Sequence, residues 1–428
     1  MFKTFSAVAV TLVAAAAAAP AAFAWSPPTA LSSAEESNPL AQAAFDGSVL
    51  SGWLTPQATL SKGLGPLRPL TAADPYETVW ASALDAAGNA AVLSLRKHKP
   101  VQRVRATLVA ADGTRGRTYT ISDNTHSAAQ PHLAVAPDGT AVAAWQWHDP
   151  AGWRVQAAIR RPGASRFDKP QNVSPPADAR LRPSITVAAG EGGRAALSWQ
   201  VQTGQDAPLH VVSATDATFG ADQVLPGGGR WADVSMAVAP DGAVTVAYLG
   251  IASGPVGLRV ASGTAGAPLG DPVLLSQGGK GTSSGPQSAV AISADGTTTV
   301  AWAKPGDRYE DGGVLEVYTR APGAPAFGAP QTLAEAASGI VAAGGPGSSA
   351  AVAWMTGADR AGRLHWRVNA ALRTGSAFDA PQQLSDDTRN ALWPTIAMTP
   401  SGKTVAAWVT NTSGGGSGQP TVSVNPAG

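Results

Sequence analysis

Short runs of alternating apolar and polar residues, separated by turns that contain Pro and Gly, recur along the whole chain. In the segment 141–145, Val142 and Ala144 alternate with Ala143 and Trp145. This two-residue period is that of a β-strand whose two faces are both covered. Beyond the first 24 residues, no useful length of chain shows the 3.6-residue period of an amphipathic helix. The pattern therefore predicts an all-β protein.

One of these strands, preceded by a turn of the Pro-Asp-Gly type, is repeated seven times. The clearest copies are APDGTAVAAW at 136–145, APDGAVTVAY at 239–248, SADGTTTVAW at 293–302 and TPSGKTVAAW at 399–408. Weaker copies lie at 85–94, 190–199 and 345–354. Neighbouring copies end 49 to 54 residues apart, so the repeat has a period near 52.

A second motif runs in phase with the first. Its copies include FDKPQNVS at 167–174, FGADQVLP at 219–226, FGAPQTLA at 327–334 and FDAPQQLS at 378–385. Looser copies lie at 64–71, 115–122 and 269–276, so the second motif also occurs seven times. Two motifs with the same count and the same period indicate one structural unit repeated along the chain.

Each unit accommodates four short strands, and four-stranded units of this period are typical of a β-propeller. We therefore predict a seven-bladed β-propeller of four-stranded antiparallel blades. The copy at 64–71 precedes any complete unit, and the last unit ends near 421–424 without a fourth strand. An N-terminal strand is thus expected to complete the last blade and close the ring, with 53–60 as a competing candidate. The alternative is an open solenoid, which normally has atypical capping repeats.

The chain divides into three parts. Residues 1–24 have a positive start, an apolar run and a small-x-small site at 22–24, which are typical of a secretory signal peptide cleaved near Ala24. Residues 25–63 are expected to be a partly irregular N-terminal extension, and 64–428 a single propeller domain. We expect a secreted or periplasmic bacterial protein without a membrane span.

The repeat resembles those of secreted bacterial propellers. Its hairpins, such as 136–145, are similar to the Pro-Asp-Gly hairpins of TolB-type propellers, which are related to Trp-Asp repeats. The resemblance covers about 64–424 and implies architecture more than function. Sialidase propellers carry a Ser-x-Asp-x-Gly-x-x-Trp box, whereas Asp and Gly are adjacent here, as in Asp138-Gly139. This difference counts against a sialidase.

Composition excludes several classes of function. The chain has no Cys, so disulfide scaffolds and Cys-based metal or redox sites are excluded. Its formal net charge of +1 provides no basic footprint for nucleic acid. The 48 Gly and 34 Pro accompany 44% hydrophobic residues, which favours a large core over disorder. A monomer is expected.

Candidate ligand-binding residues lie in loops on one face of the ring, opposite the Pro-Asp-Gly turns. These are the loops that lead into the first strand of each unit and those that join the second strand to the third. Their aromatic rings, arginines and carboxylates suit a polyhydroxylated or anionic ligand. The candidates are Trp147, His148, Asp149, Trp153, Arg180, Arg182, Trp231, Asp233, Arg308, Tyr309, Glu310, Asp311, Arg360, Arg389 and Trp393.

The sequence leaves two functions open. The first is an exported, non-catalytic binding or scaffold propeller that recognises a glycan or a protein. The second is a secreted carbohydrate-active hydrolase or lyase that uses loop carboxylates. No G-x-S-x-G or H-E-x-x-H motif is present, no catalytic residue can be assigned, and the balance is against an enzyme. No cofactor or metal site is predicted; Asp307, Glu310 and Asp311 are the weaker alternative of a calcium site.

Overall fold

A computed structural model describes most of the chain beyond the predicted signal peptide. The described residues are 25–32, 36–37, 41–44, 46–51, 58–62, 68–71, 74–98, 101–176, 183–201, 207–227, 233–250, 256–279, 288–306, 312–360, 363–411 and 417–426. Within them the regular structure is β-strand, in antiparallel sheets, as the sequence predicts. The predicted signal peptide, 1–24, lies outside the described residues.

The first half of the chain contributes nineteen strands. They are β1 Thr29–Ala30, β2 Glu36–Ser37, β3 Ala41–Ala43, β4 Val49–Ser51, β5 Thr59–Ser61, β6 Arg68–Pro69, β7 Glu77–Leu84, β8 Ala90–His98, β9 Val101–Val109, β10 Tyr119–Thr120, β11 Ser127–Val135, β12 Ala141–Asp149, β13 Gly152–Arg160, β14 Gln171–Asn172, β15 Ser184–Gly190, β16 Arg194–Gln200, β17 Leu209–Thr215, β18 Thr218–Phe219 and β19 Gln223–Leu225.

The second half contributes fourteen more. They are β20 Val234–Val238, β21 Ala243–Gly250, β22 Gly257–Thr264, β23 Val273–Gln277, β24 Ser288–Ile292, β25 Thr298–Lys304, β26 Gly313–Arg320, β27 Gln331–Gly344, β28 Ala350–Arg360, β29 Arg363–Arg373, β30 Gln382–Gln383, β31 Asn390–Met398, β32 Thr404–Asn411 and β33 Ser417–Asn425.

These strands form a β-propeller, and each of the seven repeat units is a blade. We number the blades along the chain: blade I is β3–β6, II is β7–β10, III is β11–β14, IV is β15–β19 and V is β20–β23. Blade VI is β24 to the first half of β27, VII is the second half of β27 to β30, and VIII is β31–β33 with β1 and β2. The long strand β27 thus belongs to two blades.

Blade I is an addition to the seven predicted units. Residues 41–69, assigned from sequence to the N-terminal extension and the edge of the domain, pair as a small four-stranded sheet of their own. Its Ala43 N–H donates to Thr395 Oγ1 of blade VIII at 2.9 Å. On its other side, Leu50 and Leu60 share a core cluster with Val92 of blade II. Blade I therefore occupies a place in the ring between blades VIII and II.

The ring is closed by an N-terminal strand, but not by 64–71 as predicted. Strands β1 and β2 pair with β33, with Thr29 opposite Val422 and Glu36 opposite Gly418. The segment 64–71 instead supplies β6, the outer strand of blade I, and β5 takes up the end of 53–60. The closing strands at 29–37 match neither repeat motif, so they could not be recognised by repetition.

The repeat motifs account for the turns and the core. At Gly139, φ is 87°, and the Asp138 carboxylate accepts the Thr140 N–H at 2.8 Å, which fixes the turn before β12. The large side chain that ends the motif is fully buried in most blades, as at Trp145, Trp302 and Trp408. Small alanines beside it let neighbouring sheets pack closely.

The Gln of the second motif joins adjacent blades. In blade VI, Gln331 accepts the backbone N–H of Phe378 in blade VII at 2.8 Å and donates to the Phe378 carbonyl at 2.8 Å. Gln223 forms the same pair with Leu269 of blade V, at 2.9 and 2.7 Å. Gln171 likewise contacts the backbone of blade IV. We call this arrangement the glutamine clamp.

Candidate functional site

The propeller has two chemically different faces. The lower face carries the Pro-Asp-Gly turns between first and second strands. The upper face carries the hairpins between second and third strands, together with the loops that lead into the innermost strands. The hairpin of blade III, which turns between Asp149 and Gly152, is one of these upper hairpins. The predicted ligand-binding residues that the structure describes belong to the upper face.

The aromatic residues of the blade III hairpin are more buried than a ligand site requires. Trp147 and Trp153 are only 7% and 9% exposed. The Trp147 ring meets His126 edge-on, with centroids 4.8 Å apart, and the Trp153 ring lies 4.8 Å from His148. These rings therefore support the hairpin more than they offer a free stacking surface.

The carboxylate of Asp149 is held by its own hairpin. It accepts backbone N–H groups from Ala151 and Gly152 at 2.8 and 3.0 Å and pairs with Arg154 Nε at 2.8 Å. Burial acts to raise the pKa of Asp149, but the hydrogen bonds and the Arg154 charge outweigh it, so that pKa lies below its ordinary 3.8. Asp149 is therefore ionised at neutral pH.

The remaining candidates fall into three groups. Asp233 links blades V and VI, because its Oδ2 accepts the N–H and hydroxyl of Ser288 at 2.7 and 2.8 Å. Arg389 directly precedes β31, the first strand of blade VIII, and Trp393 lies within that strand. Outside the described residues are Arg180, Arg182, Trp231, Asp307, Arg308, Tyr309, Glu310 and Asp311, as is the side chain of Arg360.

A polar pocket opens where the loop before blade VIII meets the ring closure. Its volume is about 120 Å³, and we call it the seam pocket. It is lined by Pro28 and Ala30 of the closing segment, by Ser385, Asp386 and Arg389 of the loop, and by Trp408, Thr410, Gln419 and Thr421 of blade VIII. Hydroxyl, carboxylate, guanidinium and amide groups thus surround one small space.

The loop that supplies this pocket is fixed by Asp386. Its Oδ1 accepts the N–H and hydroxyl of Thr388 at 2.8 and 2.7 Å and the Arg389 N–H at 3.3 Å. Burial acts to raise the pKa of Asp386, but these hydrogen bonds and the Arg389 charge hold that pKa below 3.8. Arg389 donates to Gln419 Oε1 at 3.0 Å, which connects the loop to β33.

Trp393, four residues after Arg389, presents an exposed ring. It is 49% exposed and has a φ of 53°, a left-handed conformation that is costly for a bulky residue. A β-bulge between Leu392 and Thr395 produces this conformation. Such an exposed and conformationally constrained Trp on the upper face is consistent with a binding role.

The same loop pattern occurs at blade III. Residues 122–131 read SDNTHSAAQP and 385–394 read SDDTRNALWP, and the bulge residue Gln130 also has a positive φ, 44°. Both serines accept a backbone N–H from the third strand of the preceding blade, Ser122 from Val104 and Ser385 from Val368, each at 3.0 Å. When the two segments are aligned, Trp393 takes the place of Gln130 at the bulge. This replacement of a Gln by a Trp is a sequence signal that could have singled out position 393.

A larger cavity than the seam pocket lies elsewhere. A space of about 580 Å³ occupies the lower part of the central channel. All eight blades line it, through residues such as Ala43, Leu84, Leu133, Val187, Met236, Val290, Ala342 and Ile396. Its walls are mainly aliphatic, so it offers a polar ligand little to bind, and the seam pocket remains the better candidate despite its smaller volume.

Among the described residues, no group of three or more His, Asp or Glu side chains is placed to hold a metal ion. The pKa values of five described carboxyl groups, those of Asp112, Asp123, Asp149, Glu316 and Asp386, lie below their ordinary values. No helix in the described part of the chain has the length and apolar character needed to cross a membrane.

Comparisons with known proteins give structural matches only. No family model matches the chain, and no curated protein matches it. One similar structure is a protein of unknown function from Dyadobacter fermentans, with 11% identity, 82% of this chain and 94% of that chain covered, and a TM-score of 0.43. An ulvan lyase of polysaccharide lyase family PL25 has 12% identity, coverage of 77% and 93%, and a TM-score of 0.43.

A third match is the intramolecular trans-sialidase from Ruminococcus gnavus. It shares 10% identity over 80% of this chain and 93% of that chain, with a TM-score of 0.41. Similarity at this level assigns no substrate or ligand to the chain.

Proposed function

We propose that this protein is an exported carbohydrate-binding propeller that holds a sugar residue at the seam pocket and stacks the glycan on Trp393. The observation that carries the proposal is the exposed Trp393 ring in β31, four residues after Arg389 of a pocket that is lined by hydroxyl, carboxylate, guanidinium and amide groups. Aromatic rings stack on the apolar faces of sugars, while such polar groups bind their hydroxyls.

The fixed geometry of the loop supports binding. Asp386 and Arg389 are already held by Thr388 and Gln419, so little side-chain freedom is lost when a ligand arrives. The strained backbone at Trp393 also supports a ligand site, because such strain is retained mainly at sites of function.

The charge states of Asp149 and Asp386 favour ligand binding over a role as general acid in hydrolysis. A glycosidase needs one carboxyl group whose pKa is raised, so that it remains protonated and can act as a general acid. The pKa values of Asp149 and Asp386 are lowered instead, and both carboxylates already accept several hydrogen bonds. These residues therefore suit ligand hydrogen bonding better than proton transfer.

The test uses residues 25–428, first on a glycan array and then by titration calorimetry with the best oligosaccharide. Trp393→Gly removes the ring and keeps a residue that tolerates the local φ of 53°. We expect at least about a 10-fold loss of affinity, the equivalent of one good aromatic contact. The control is Leu274→Ala, because Leu274 is 46% exposed on β23 of blade V, a blade that contributes to neither the seam pocket nor its neighbours in the ring.

Three results would contradict the proposal. Equal affinities of the Trp393→Gly variant and the unchanged protein would exclude stacking at this site. Turnover of a polysaccharide by purified protein would favour the enzyme hypothesis. Absence of any glycan ligand at millimolar concentration would leave a protein partner as the better explanation of the upper face.

A further inference from the structure

The most basic run of the chain forms an upper hairpin of blade II. Residues 96–105 read RKHKPVQRVR and contain five Lys or Arg and no acidic residue. Strands β8 and β9 pair with Arg96 directly opposite Arg103, so both side chains leave the same side of the sheet. Like charges in directly opposed positions destabilise a sheet, which makes this pair unusual as a purely structural feature.

The nearest acid in the strand register does not neutralise this pair. Glu77 of β7 lies opposite Arg96, but its carboxylate pairs with Arg105 Nη1 and accepts the Ser94 hydroxyl at 3.2 Å. Arg105 is further held by the Thr118 carbonyl at 3.3 Å. Within the described part of the chain, the positive charges of Arg96 and Arg103 therefore have no acidic partner.

Both arginines also have unused buried donors. The Nε–H of Arg96 and that of Arg103 are buried, and neither has a hydrogen-bond partner. Arg103 makes one long contact through Nη2, to the Asn124 carbonyl at 3.4 Å. A buried charged donor without an acceptor is costly, and an oxyanion placed between the two guanidinium groups would accept from both.

The position of the pair suits a ligand that crosses the upper face. Val92 leaves the same side of β8 as Arg96 and packs with Leu50 and Leu60, so this side faces blade I. Asn124, which Arg103 contacts, belongs to the loop that leads into blade III on the upper face. Blade I separates this hairpin from blade VIII and its seam pocket.

We propose that Arg96 and Arg103 bind a carboxylate or sulfate group of an acidic polysaccharide. The inference rests on the proposed function, and it adds that the glycan is anionic and extends from the seam pocket across blade I. The planar guanidinium forks match the paired oxygens of a carboxylate or a sulfate ester. With a net charge of +1 for the whole chain, the basic hairpin is a local site and not a broad nucleic-acid surface.

The experiment compares two double variants of residues 25–428 that lose the same charge. Arg96→Gln/Arg103→Gln removes the proposed clamp. The control, Arg115→Gln/Arg117→Gln, changes two exposed arginines of the same blade beyond the opposite end of β9. Titration probes are a polygalacturonate oligosaccharide for carboxylate, a dextran sulfate oligosaccharide for sulfate and dextran as the neutral ligand. Melting temperatures are measured at low salt with and without sodium sulfate, against sodium chloride at equal ionic strength.

We expect the Arg96/Arg103 variant to bind one of the two anionic oligosaccharides at least about 10-fold more weakly, and the control variant to bind it within about 2-fold of the original. Ligand-free, the Arg96/Arg103 variant should melt at the same or a higher temperature, because a like-charged pair has been removed. A purely structural pair would instead lower the melting temperature. The carboxylate and sulfate probes identify which group is bound.

Equal losses in the two double variants, or no loss in either, would overturn the inference while leaving a glycan site at Trp393 intact. Tighter binding of duplex DNA or anionic lipid vesicles than of either acidic oligosaccharide would also overturn it. If no glycan binds but sulfate raises the melting temperature only when Arg96 and Arg103 are present, the anion site stands and the carbohydrate function fails.

Discussion

The glutamine clamp between blades VI and VII allows a quantitative test of how the ring is held together. Gln331 makes two hydrogen bonds, each 2.8 Å long, with the backbone N–H and carbonyl of Phe378. The Phe378 side chain is 5% exposed. Replacing Gln331 by Ala leaves two backbone groups of the next blade without their partner.

The expected cost follows from the two lost bonds. Each is worth about 1 kcal/mol net, and more where water cannot replace it; since Gln331 is half-buried, we expect about 2 kcal/mol in total. Unfolding entropy scales to about 0.9 kcal/mol per kelvin for a chain of 428 residues, so cooperative unfolding would shift the melting temperature by only about 2 °C.

A local probe is therefore more sensitive than melting. The Phe378 amide donates to Gln331, so hydrogen exchange at this amide should accelerate by roughly 30-fold if 2 kcal/mol is lost. The matched control is Gln382→Ala. Gln382 holds the same motif position in blade VII, and β1 and β2 occupy the outer position of the next blade in place of a repeat motif.

Similar changes in the two variants would refute the reasoning. If Gln331→Ala leaves exchange at Phe378 unchanged, the two hydrogen bonds are not what joins the blades. If Gln382→Ala is as destabilising as Gln331→Ala, the effect belongs to the outer strand itself and not to the clamp.

Three further predictions concern the clamp position of blade V, the Glu316 carboxylate and the closure of the ring. Blade V has Val273, 65% exposed, at the clamp position, so Val273→Gln should raise stability by about 1 kcal/mol in urea unfolding, whereas Val273→Ala should not. Glu316 accepts from Ser276, Trp302, Lys304 and Tyr318; burial acts to raise its pKa, but these bonds hold that pKa below 4.5. Its stabilisation is therefore present above pH 4.5 and is lost as pH falls through the lower folded pKa, so Glu316→Gln should reduce stability at pH 7 and flatten the acid limb of a stability-against-pH curve. Removal of 25–37 deletes β1 and β2, which pair with β33. The truncated protein should melt at a lower temperature and should associate through the exposed edge of β33, which light scattering would detect. A truncated monomer that melts at the same temperature as the longer chain would exclude this closure.

The strand pattern and the repeat could be predicted from sequence because each blade is built from the same local chemistry. Side chains alternate between the two faces of the strand at 141–145, and the two faces pack into different core clusters: Trp145 belongs to one and Ala144 to another. The Gly139 turn likewise requires only its own residues. Features that depend only on neighbouring residues can therefore be predicted from the sequence.

Features that depend on distant parts of the chain could not be predicted in the same way. Blade I is an exception, because its segment AFDGSVLSGW at 44–53 repeats the first motif: Asp46 accepts the Ser48 N–H at 2.9 Å, and Gly47 has a φ of 79°. Together with the looser copy of the second motif at 64–71, this segment could have indicated an eighth blade. The seam pocket combines Ala30 with Arg389 and Thr421, whose proximity depends on ring closure. The Arg96–Arg103 pair depends on strand register, which the basic run alone does not define.

The closure of the ring also sets the order in which the protein can be completed. Ser26 contacts Val424, so the pairing joins residues 398 positions apart. During synthesis at about 5–20 residues per second, the strand made first waits roughly 20 to 80 seconds for the strand made last. Throughout that interval β1 has no partner, and β33 exposes an open edge until the two meet. Every newly made molecule therefore passes through a period in which another copy's N-terminal strand can compete for the same edge.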